Sequence, residues 1–244
     1  LSELDELVRQ CCADFDFHRL YVALGNFCSN DLSAFYLDIR KDVLYCDHLI
    51  SDRRRATRTV LDHLFSCLTA WLAPFICFSA EEAWLARHSD RVPGNSVHLR
   101  TFPDIPDTWR DDELAEKWNS LRDVRRVVTG ALEKERAEKR IGSGLQAAPV
   151  VYAPAEIVAL FDEIDAAELF ITSGATFATE DAPSEAFTLE EIGGIAVVSE
   201  LALGEKCERC YQLSEEVGTN KDHPNVCNRC ADATEHFQPL NEFT

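Results

Sequence analysis

The chain has 244 residues, of which 27% are charged and 46% are hydrophobic, a composition that is ordinary for globular proteins. This length allows two modest domains, or one large and one small domain, with a real core. No apolar run approaches the ~20 residues of a membrane helix, and we expect the amphipathic, acidic start LSELDELVRQ to be neither a signal peptide nor a transit peptide. We therefore expect a protein without a membrane segment. The placement of cysteines in apolar helical patterns and in metal spacing favours the reducing cytoplasm as its compartment. Since the chain starts on Leu1 and contains no Met, we expect a fragment of a longer protein.

The formal net charge of −19 is distributed unevenly along the chain. Residues 147–204 contain 11 Asp and Glu side chains and no Lys or Arg. Because this segment would repel a polyanion, any contact with nucleic acid must be local and must lie elsewhere.

Over residues 1–140 the apolar side chains recur with helical periodicity. We predict four successive helices in the first half of this region. The second helix is expected to end at the Ser-Asn-Asp of residues 29–31, and the fourth is expected to cover about 53–72.

The second half of the helical region is predicted in three parts. Ser79 followed by Glu82 indicates a capping box at a helix start. The piece VHLRTF at 97–102 is predicted to be extended. A long polar helix is then expected from about 112 to 139, with charged pairs four residues apart on a solvated face.

After residue 141 the pattern changes from helical to mixed. One short helix is predicted over AEIVALFDEI, and strands rich in β-branched and aromatic residues are predicted over PVVYA, LFITS, TFAT and IAVVSEL. The fold class is therefore mainly α: a helical bundle followed by a small α+β unit and a four-cysteine zinc knuckle. We place the boundaries at 1–110 for the bundle, 111–146 for a connecting helix, 147–203 for the α+β unit and 204–244 for the knuckle.

Four of the ten cysteines have the spacing of a metal site. They form C-x2-C-x16-C-x2-C and are Cys207, Cys210, Cys227 and Cys230. Two such pairs supply four thiolates for one tetrahedral, structural zinc ion. Two disulfides are the alternative, but other cysteines lie in apolar helical patterns, which favours a reducing compartment. We interpret the nearby His223 and His236 as surface residues.

Basic and aromatic side chains surround these cysteines, and two interpretations stay open. The side chains could contact phosphates and stack on unpaired bases, or the cations could balance the formal −2 charge of a zinc tetrathiolate. The candidates for RNA contact in the knuckle are Lys206, Arg209, Tyr211 and Arg229.

A second basic cluster lies in the helical region. Arg54 and Arg55 start the fourth predicted helix, and Arg40 and Lys41 lie one helix earlier. We consider all four as candidates for phosphate binding. The interleaved carboxylates, among them Asp42, make ion pairing the rival explanation.

We identify no catalytic residue in the sequence. It contains no glycine-rich phosphate loop after a strand, no nucleophile elbow and no His-Glu-x-x-His motif. The chain is therefore predicted to be a binding module rather than a catalytic one.

Several segments resemble the C-terminal region of bacterial isoleucyl-tRNA synthetases. They are NDLSAFYLDIRKDVLY (30–45), RRATRTVLDHLFSCLTAWLAPFICFSAEEAW (54–84), EKRIGSGLQA (138–147) and the terminal EKCERCY and VCNRC. The first two blocks are shared with the valyl, leucyl and methionyl enzymes, whereas the terminal zinc knuckle singles out the isoleucyl enzymes. The resemblance covers nearly the whole chain.

This resemblance implies that residues 1–110 are a helical anticodon-binding domain and that the knuckle reaches the anticodon end of an isoleucine tRNA. It implies one structural zinc held by the four cysteines, with Lys206 and Arg209 at basic positions of the family motif and Tyr211 where Trp is common. The family's ATP-binding motifs HIGH and KMSKS are not in this sequence. We therefore expect the chain to be part of an isoleucine–tRNA ligase, to be inactive alone, and to be a monomer whose partners are tRNA and the remainder of the synthetase.

Two other classes of function remain as alternatives. One is a DNA-directed knuckle like the terminal finger of formamidopyrimidine-DNA glycosylases, whose cysteine spacing is similar. The other is a zinc-stabilised scaffold for protein interactions. Binding to a nucleic acid would weaken steeply with salt, whereas a largely apolar protein interface would not.

Overall fold

The computed structural model of the chain describes residues 1–88 and 94–236. The chain forms two compact units. The first unit consists of Leu1–Arg40 and Ile50–Asp111, and the second consists of Lys41–Leu49 together with the described chain from Asp112 onward. The last eight residues of the predicted knuckle lie outside the described residues.

The first unit is helical. Its elements are α1 (Ser2–Asp14), α2 (Phe17–Asn26), a π-helical segment (Phe27–Leu37), the start of α3 (Asp38–Cys46), α4 (Asp52–Leu72) and α5 (Cys77–Arg87). The predicted end of the second helix at residues 29–31 is wrong, because α2 continues through the π-helical segment into α3. The polar Ser-Asn-Asp run favours a helix end only weakly, and the surrounding structure overrides that propensity.

Two further predictions in the first unit are corrected. Helix α5 begins at Cys77 after the N-cap residue Ile76, so Ser79 lies inside the first turn and does not form the predicted capping box. Residues Val97–Leu99 form a turn of 3₁₀-helix rather than an extended piece. The Ser96 hydroxyl accepts a hydrogen bond from the His98 N–H at 3.2 Å, and this local bond favours a turn over a strand.

A cluster of fully or nearly fully buried side chains forms the core of the first unit. It brings together α1, α2 and α4 through Val8, Cys11, Leu20, Leu24, Cys67 and Trp71. The spacings of three and four residues place the members from each helix on one face, as the periodicity predicts. Within the described residues, no helix is both long and apolar enough to cross a membrane.

The second unit is built on the long helix α6 (Asp112–Ala137) and a four-stranded sheet. The strands are β1 (Val150–Tyr152), β2 (Thr176–Ala178), β3 (Phe187–Leu189) and β4 (Ile192–Val198), in the order β2-β1-β4-β3. Strand β1 pairs parallel to β2 and antiparallel to β4, and β3 pairs antiparallel to β4. Two short helices lie between β1 and β2, α7 (Ala155–Val158) and α8 (Ala166–Phe170).

The segment LFITS does not form the predicted strand. Leu169 and Phe170 end helix α8, and Ile171 takes a left-handed conformation with φ 58° at its C-cap. Both side chains before the cap are buried, with exposed fractions of 2% and 3%. A short apolar run fits a buried helix end as well as a strand, and its length could not distinguish the two.

Helix α6 packs on β3 and β4 with a stripe of fully buried side chains. The stripe includes Leu121, Val124 and Val128, which follow each other at three and four residues. At Gly130 an added Cβ would lie 2.7 Å from the Phe187 ring, so a glycine allows this close approach of helix and strand. The predicted class, mainly α with a helical bundle, a small α+β unit and a cysteine cluster, is confirmed.

Candidate zinc centre and its basic surroundings

The first cysteine pair lies on a hairpin. Strands β5 (Glu205–Lys206) and β6 (Leu213–Ser214) pair antiparallel on either side of Cys207 and Cys210. The hairpin turn is closed by two backbone hydrogen bonds, from Cys207 N to Gln212 O at 2.8 Å and from Tyr211 N to Cys207 O at 2.9 Å. Residue 204 must be glycine, since its φ is 95° and a Cβ would lie 2.2 Å from the Ser214 carbonyl carbon.

The second cysteine pair lies at the start of helix α9 (Asn228–Glu235). Cys227 is its N-cap residue, and Cys230 lies in the first turn. The N-terminal end of a helix carries partial positive charge, which favours thiolates there. Each cysteine pair is thus held by a local element, the first by the hairpin and the second by the start of α9.

The four sulfurs meet at one point in a geometry that fits zinc. All four cysteines are buried, and their Sγ atoms lie within 4.8 Å of one another. The Cys210 and Cys227 Sγ atoms are 3.9 Å apart, close to the ~3.8 Å expected between ligands of a tetrahedral ion with Zn–S distances of about 2.3 Å. The backbone N–H of Cys227 donates to Cys207 Sγ at 3.4 Å, an orienting bond around the ligand set.

The crowding of these thiols favours protons unless a cation is present. A hydrogen bond with Cys230 and burial raise the pKa of Cys210 to about 12, and burial also raises the pKa of Cys227. A divalent cation reverses this preference, because it stabilises the thiolate forms directly. The cluster is therefore suited to bind a thiophilic metal ion.

Arg229 belongs to an ion-pair network inside the second unit. Its guanidinium donates to both carboxylate oxygens of Asp42, one of them at 3.1 Å, and to Asp47 at 3.0 Å. Burial would lower the pKa of Arg229, but the hydrogen bonds and charge of Asp42 raise it above its ordinary value. The side chain thus ties α9 to the segment Lys41–Leu49.

Arg209 makes a second tie to the same segment. Its guanidinium donates to the carbonyl oxygens of Cys46 and, at 2.9 Å, of Tyr45, and lies 3.6 Å from Cys230 Sγ. Carbonyls at the end of α3 lack helical partners, and a cation satisfies them. The same guanidinium offsets the negative charge of a metal tetrathiolate.

Lys206 and Tyr211 are exposed side by side on the outer face of the hairpin. The Lys206 ammonium lies 4.8 Å from the centre of the Tyr211 ring, within the range of a cation–π contact. Tyr211 is 56% exposed and takes a left-handed backbone conformation with φ 66°. The turn of the hairpin thus presents a positive charge and an aromatic face to solvent.

The remaining candidates for RNA contact lie outside the knuckle. Arg54 and Arg55 are in the first turn of α4, in the first unit, and Arg55 forms an exposed ion pair with Asp52 at 3.8 Å. Arg40 is the last residue of its segment of the first unit, while the exposed Lys41 begins the segment Lys41–Leu49 of the second. The structure therefore brings Lys206, Arg209, Tyr211 and Arg229 around the cysteines, and it divides the other four between the two units.

The sequence does not reveal the partners of the two arginines. It suggests the carboxylates interleaved with Arg40 and Lys41, Asp42 among them, only as possible partners for those nearby basic residues, and it gives no reason to single out Cys46. Cys46 is buried against the four cysteines. These contacts join residues more than 160 positions apart, so periodicity and spacing carry no information about them.

The fold and the cysteine geometry together define the class of this protein: a mainly helical chain that carries a zinc-finger-type cysteine cluster. A family model described as "Zinc finger found in FPG and IleRS" matches residues 204–233. A second family model, "Anticodon-binding domain of tRNA ligase", matches residues 1–152, more than half of the chain. The chain belongs to this family of anticodon-binding domains of tRNA ligases.

Curated relatives match the chain over 94% to 100% of its length. The isoleucine–tRNA ligase of Brucella abortus is 50% identical over 244 residues, which is 100% of this chain and 25% of that protein. That of Agrobacterium fabrum is 47% identical over 98% of the chain, and that of Ruegeria pomeroyi is 53% identical over 94%. The chain spans about a quarter of the length of these relatives.

Proposed function

We propose that this chain is the tRNA-recognition module of an isoleucine–tRNA ligase. The whole enzyme would attach isoleucine to its tRNA with ATP, which would bind in a catalytic domain outside this chain. The observation that carries the proposal is the match of the entire chain to isoleucine–tRNA ligases at about half identity. The chain by itself is expected to be an inactive, monomeric, cytoplasmic module.

One structural zinc ion would be held by Cys207, Cys210, Cys227 and Cys230. The four-coordinate thiolate set leaves no open position for a substrate, so the metal would fix the hairpin and α9 rather than react. The buried cluster and the zinc-finger match support this role.

Lys206 and Tyr211 would make the direct RNA contacts of the knuckle. An exposed aromatic ring beside an ammonium group can stack on an unpaired base and neutralise an adjacent phosphate. Arg209 and Arg229 would act mainly by positioning the knuckle, since both are bonded within the second unit. Arg40, Lys41, Arg54 and Arg55 remain proposed phosphate contacts of the helical region.

Direct binding tests the proposal. The zinc-loaded chain is titrated with an isoleucine tRNA, with the same tRNA carrying a replaced anticodon, and with a DNA duplex. A preference of at least tenfold for the native anticodon, about 1.4 kcal/mol, supports anticodon recognition. Equal binding to all three, or tighter binding to DNA, would overturn it in favour of a nonspecific or DNA-directed knuckle.

Two controls complete this experiment. Binding that is insensitive to salt would favour the protein-interaction scaffold, because contacts to phosphates release counterions and weaken as salt rises. ATP–pyrophosphate exchange with isoleucine is expected to be absent for the chain alone. Detectable exchange would contradict the proposal that catalysis resides in another part of the ligase.

A further inference from the structure

Three side chains of types that can bind metals, two from the knuckle and one from the segment Lys41–Leu49, come together apart from the four cysteines. His48 follows α3 in the segment Lys41–Leu49, Asp232 lies in α9, and His236 caps the C-terminal end of α9. One ligand atom of each side chain lies within 4.8 Å of the other two. The rings of His48 and His236 meet edge to face, with their centroids 5.1 Å apart.

The local geometry suits a divalent transition metal. Asp232 and His236 are four residues apart and share one face of the helix, a spacing that places two ligands on one ion. His236 Nδ1 lies 3.4 Å from an Asp232 carboxylate oxygen, close to the ~3.3 Å expected between tetrahedral ligands about 2.0 Å from zinc. Nδ1 also lies 2.9 Å from the Asp232 carbonyl oxygen, which can only accept a hydrogen bond, so an ion bound at Nδ1 would replace the proton of this contact.

The electrostatic setting also favours a cation. The C-terminal end of a helix carries partial negative charge from its unpaired carbonyls, and α9 ends at Glu235, one residue before His236. Imidazole and carboxylate ligands together select Zn²⁺, Co²⁺ or Ni²⁺ over Ca²⁺ or Mg²⁺. Asp232 and His236 are exposed and His48 is half-buried, so water can fill the remaining coordination positions.

We propose that His48, Asp232 and His236 form a second, exchangeable site for a divalent transition metal. The ion would join the segment Lys41–Leu49 to the end of α9. Arg209 and Arg229 already hold the knuckle against other residues of this segment, and the ion would add a further link between the two. This site does not depend on tRNA recognition by the chain.

Metal titration of the 244-residue chain, prepared without a histidine tag, tests the proposal. The chain is loaded with one equivalent of zinc in the cysteine site and then titrated calorimetrically with further Zn²⁺. Long-range ¹H–¹⁵N spectra of the imidazole nitrogens follow the same titration. We expect a second equivalent to bind and to shift the imidazole signals of His48 and His236.

Variants distinguish this site from casual surface binding. His236→Ala and His48→Ala should each weaken the second equivalent by at least about tenfold, with the first zinc retained. His18→Ala, which removes an exposed histidine of α2 in the first unit, should leave both equivalents unchanged. The proposal is overturned if no second equivalent binds, or if it binds to His48→Ala and His236→Ala as tightly as to the unaltered chain.

Discussion

The guanidinium of Arg229 is bonded to both carboxylate oxygens of Asp42 and to Asp47, which lie 187 and 182 positions earlier in the chain. The residue after Arg229 is a cysteine of the metal cluster. The position of the second cysteine pair is thus coupled to the end of α3 through one side chain. A residue whose setting in the sequence suggests phosphate binding therefore has an internal, structural contact.

Replacement of Arg229 by Ala should loosen the knuckle without removing its metal. Breaking a buried ion pair costs about 3–5 kcal/mol, but the Arg229 side chain is 32% exposed and solvent screens part of the interaction. We expect a loss of about 1–3 kcal/mol in the opening free energy of α9, measured by amide hydrogen exchange. Zinc content should stay unchanged.

Arg126→Ala is the matched control for this change. Arg126 pairs with Asp123 and Glu191 on the surface, with its side chain 56% exposed. The loss of this side chain should lower the opening free energy of α9 by less than about 1 kcal/mol. Equal effects of the two substitutions would contradict the docking role of Arg229.

Metal removal should unfold the knuckle and leave the first unit folded. The segment 204–236 buries four cysteines, and the partly buried Val217 and Val226 pack against them. This is too little apolar packing for a stable core without metal. Chelation of zinc, or Cys210→Ser, should abolish the protected amides of β5, β6 and α9. Cys77→Ser, at an exposed cysteine of α5, should leave them intact, and loss of protection in α1 or α4 on chelation would contradict the prediction.

Zinc affinity should rise with pH. Hydrogen bonding with Cys230 and burial raise the pKa of Cys210 to about 12 in the metal-free cluster, so at neutral pH this thiol holds its proton. Because zinc binds the thiolate form, binding must release protons, up to about four per ion. Calorimetry in buffers of different ionisation enthalpy counts these protons, and an affinity that is independent of pH would contradict the thiolate assignment.

Gly204→Ala should destabilise the hairpin more than Gly218→Ala does. Both glycines have positive φ, 95° and 89°, but only at Gly204 would a Cβ collide with backbone atoms, at 2.2 Å from the Ser214 carbonyl carbon. The Gly218 change should cost about 1–2 kcal/mol from backbone conformation alone. The Gly204 change should cost about 3 kcal/mol or more. Thermal unfolding of the zinc-loaded chain measures both, and similar losses would show that the close contact with β6 is unimportant.

The proposed RNA contacts predict different effects for Lys206 and Arg209, the two basic residues beside the first cysteine pair. Lys206→Ala should weaken tRNA binding and reduce the slope of affinity against salt by about one ion. Arg209→Ala should change that slope less and should instead lower the protection of the knuckle amides, since it removes the bonds to Tyr45 and Cys46.

Tyrosine substitutions provide a matched pair for the stacking contact. Tyr211→Ala should cost about 1–3 kcal/mol of tRNA affinity if the ring stacks on a base. Tyr45 is 78% exposed and serves as the control, with little expected change of tRNA affinity on Tyr45→Ala.

For the two basic residues, the contradicting outcome is an equal reduction of the salt slope of tRNA affinity by Lys206→Ala and Arg209→Ala. That result would show that Arg209 contacts RNA as Lys206 does, rather than positioning the knuckle.

Local sequence patterns were sufficient to predict the fold class of this protein and the four cysteines that lie together. Helical periodicity is a local property of the backbone, and it identified α4 and α6 within a few residues. The two Cys-x-x-Cys pairs each fit one tight turn, so their spacing was enough to predict that the four sulfurs meet. Local patterns were less reliable where two structures suit the same residues, as in the short apolar run at Leu169 and Phe170.

The contacts of the basic residues, in contrast, depend on tertiary packing. Arg209 and Arg229 are, like Lys206, basic residues next to a cysteine of the cluster. Their partners, however, are carbonyls and carboxylates at the end of α3, far away in sequence. The same segment brings His48 to Asp232 and His236. Pairings across such distances are set by how the segment Lys41–Leu49 packs within the second unit, and no local periodicity or propensity encodes that packing.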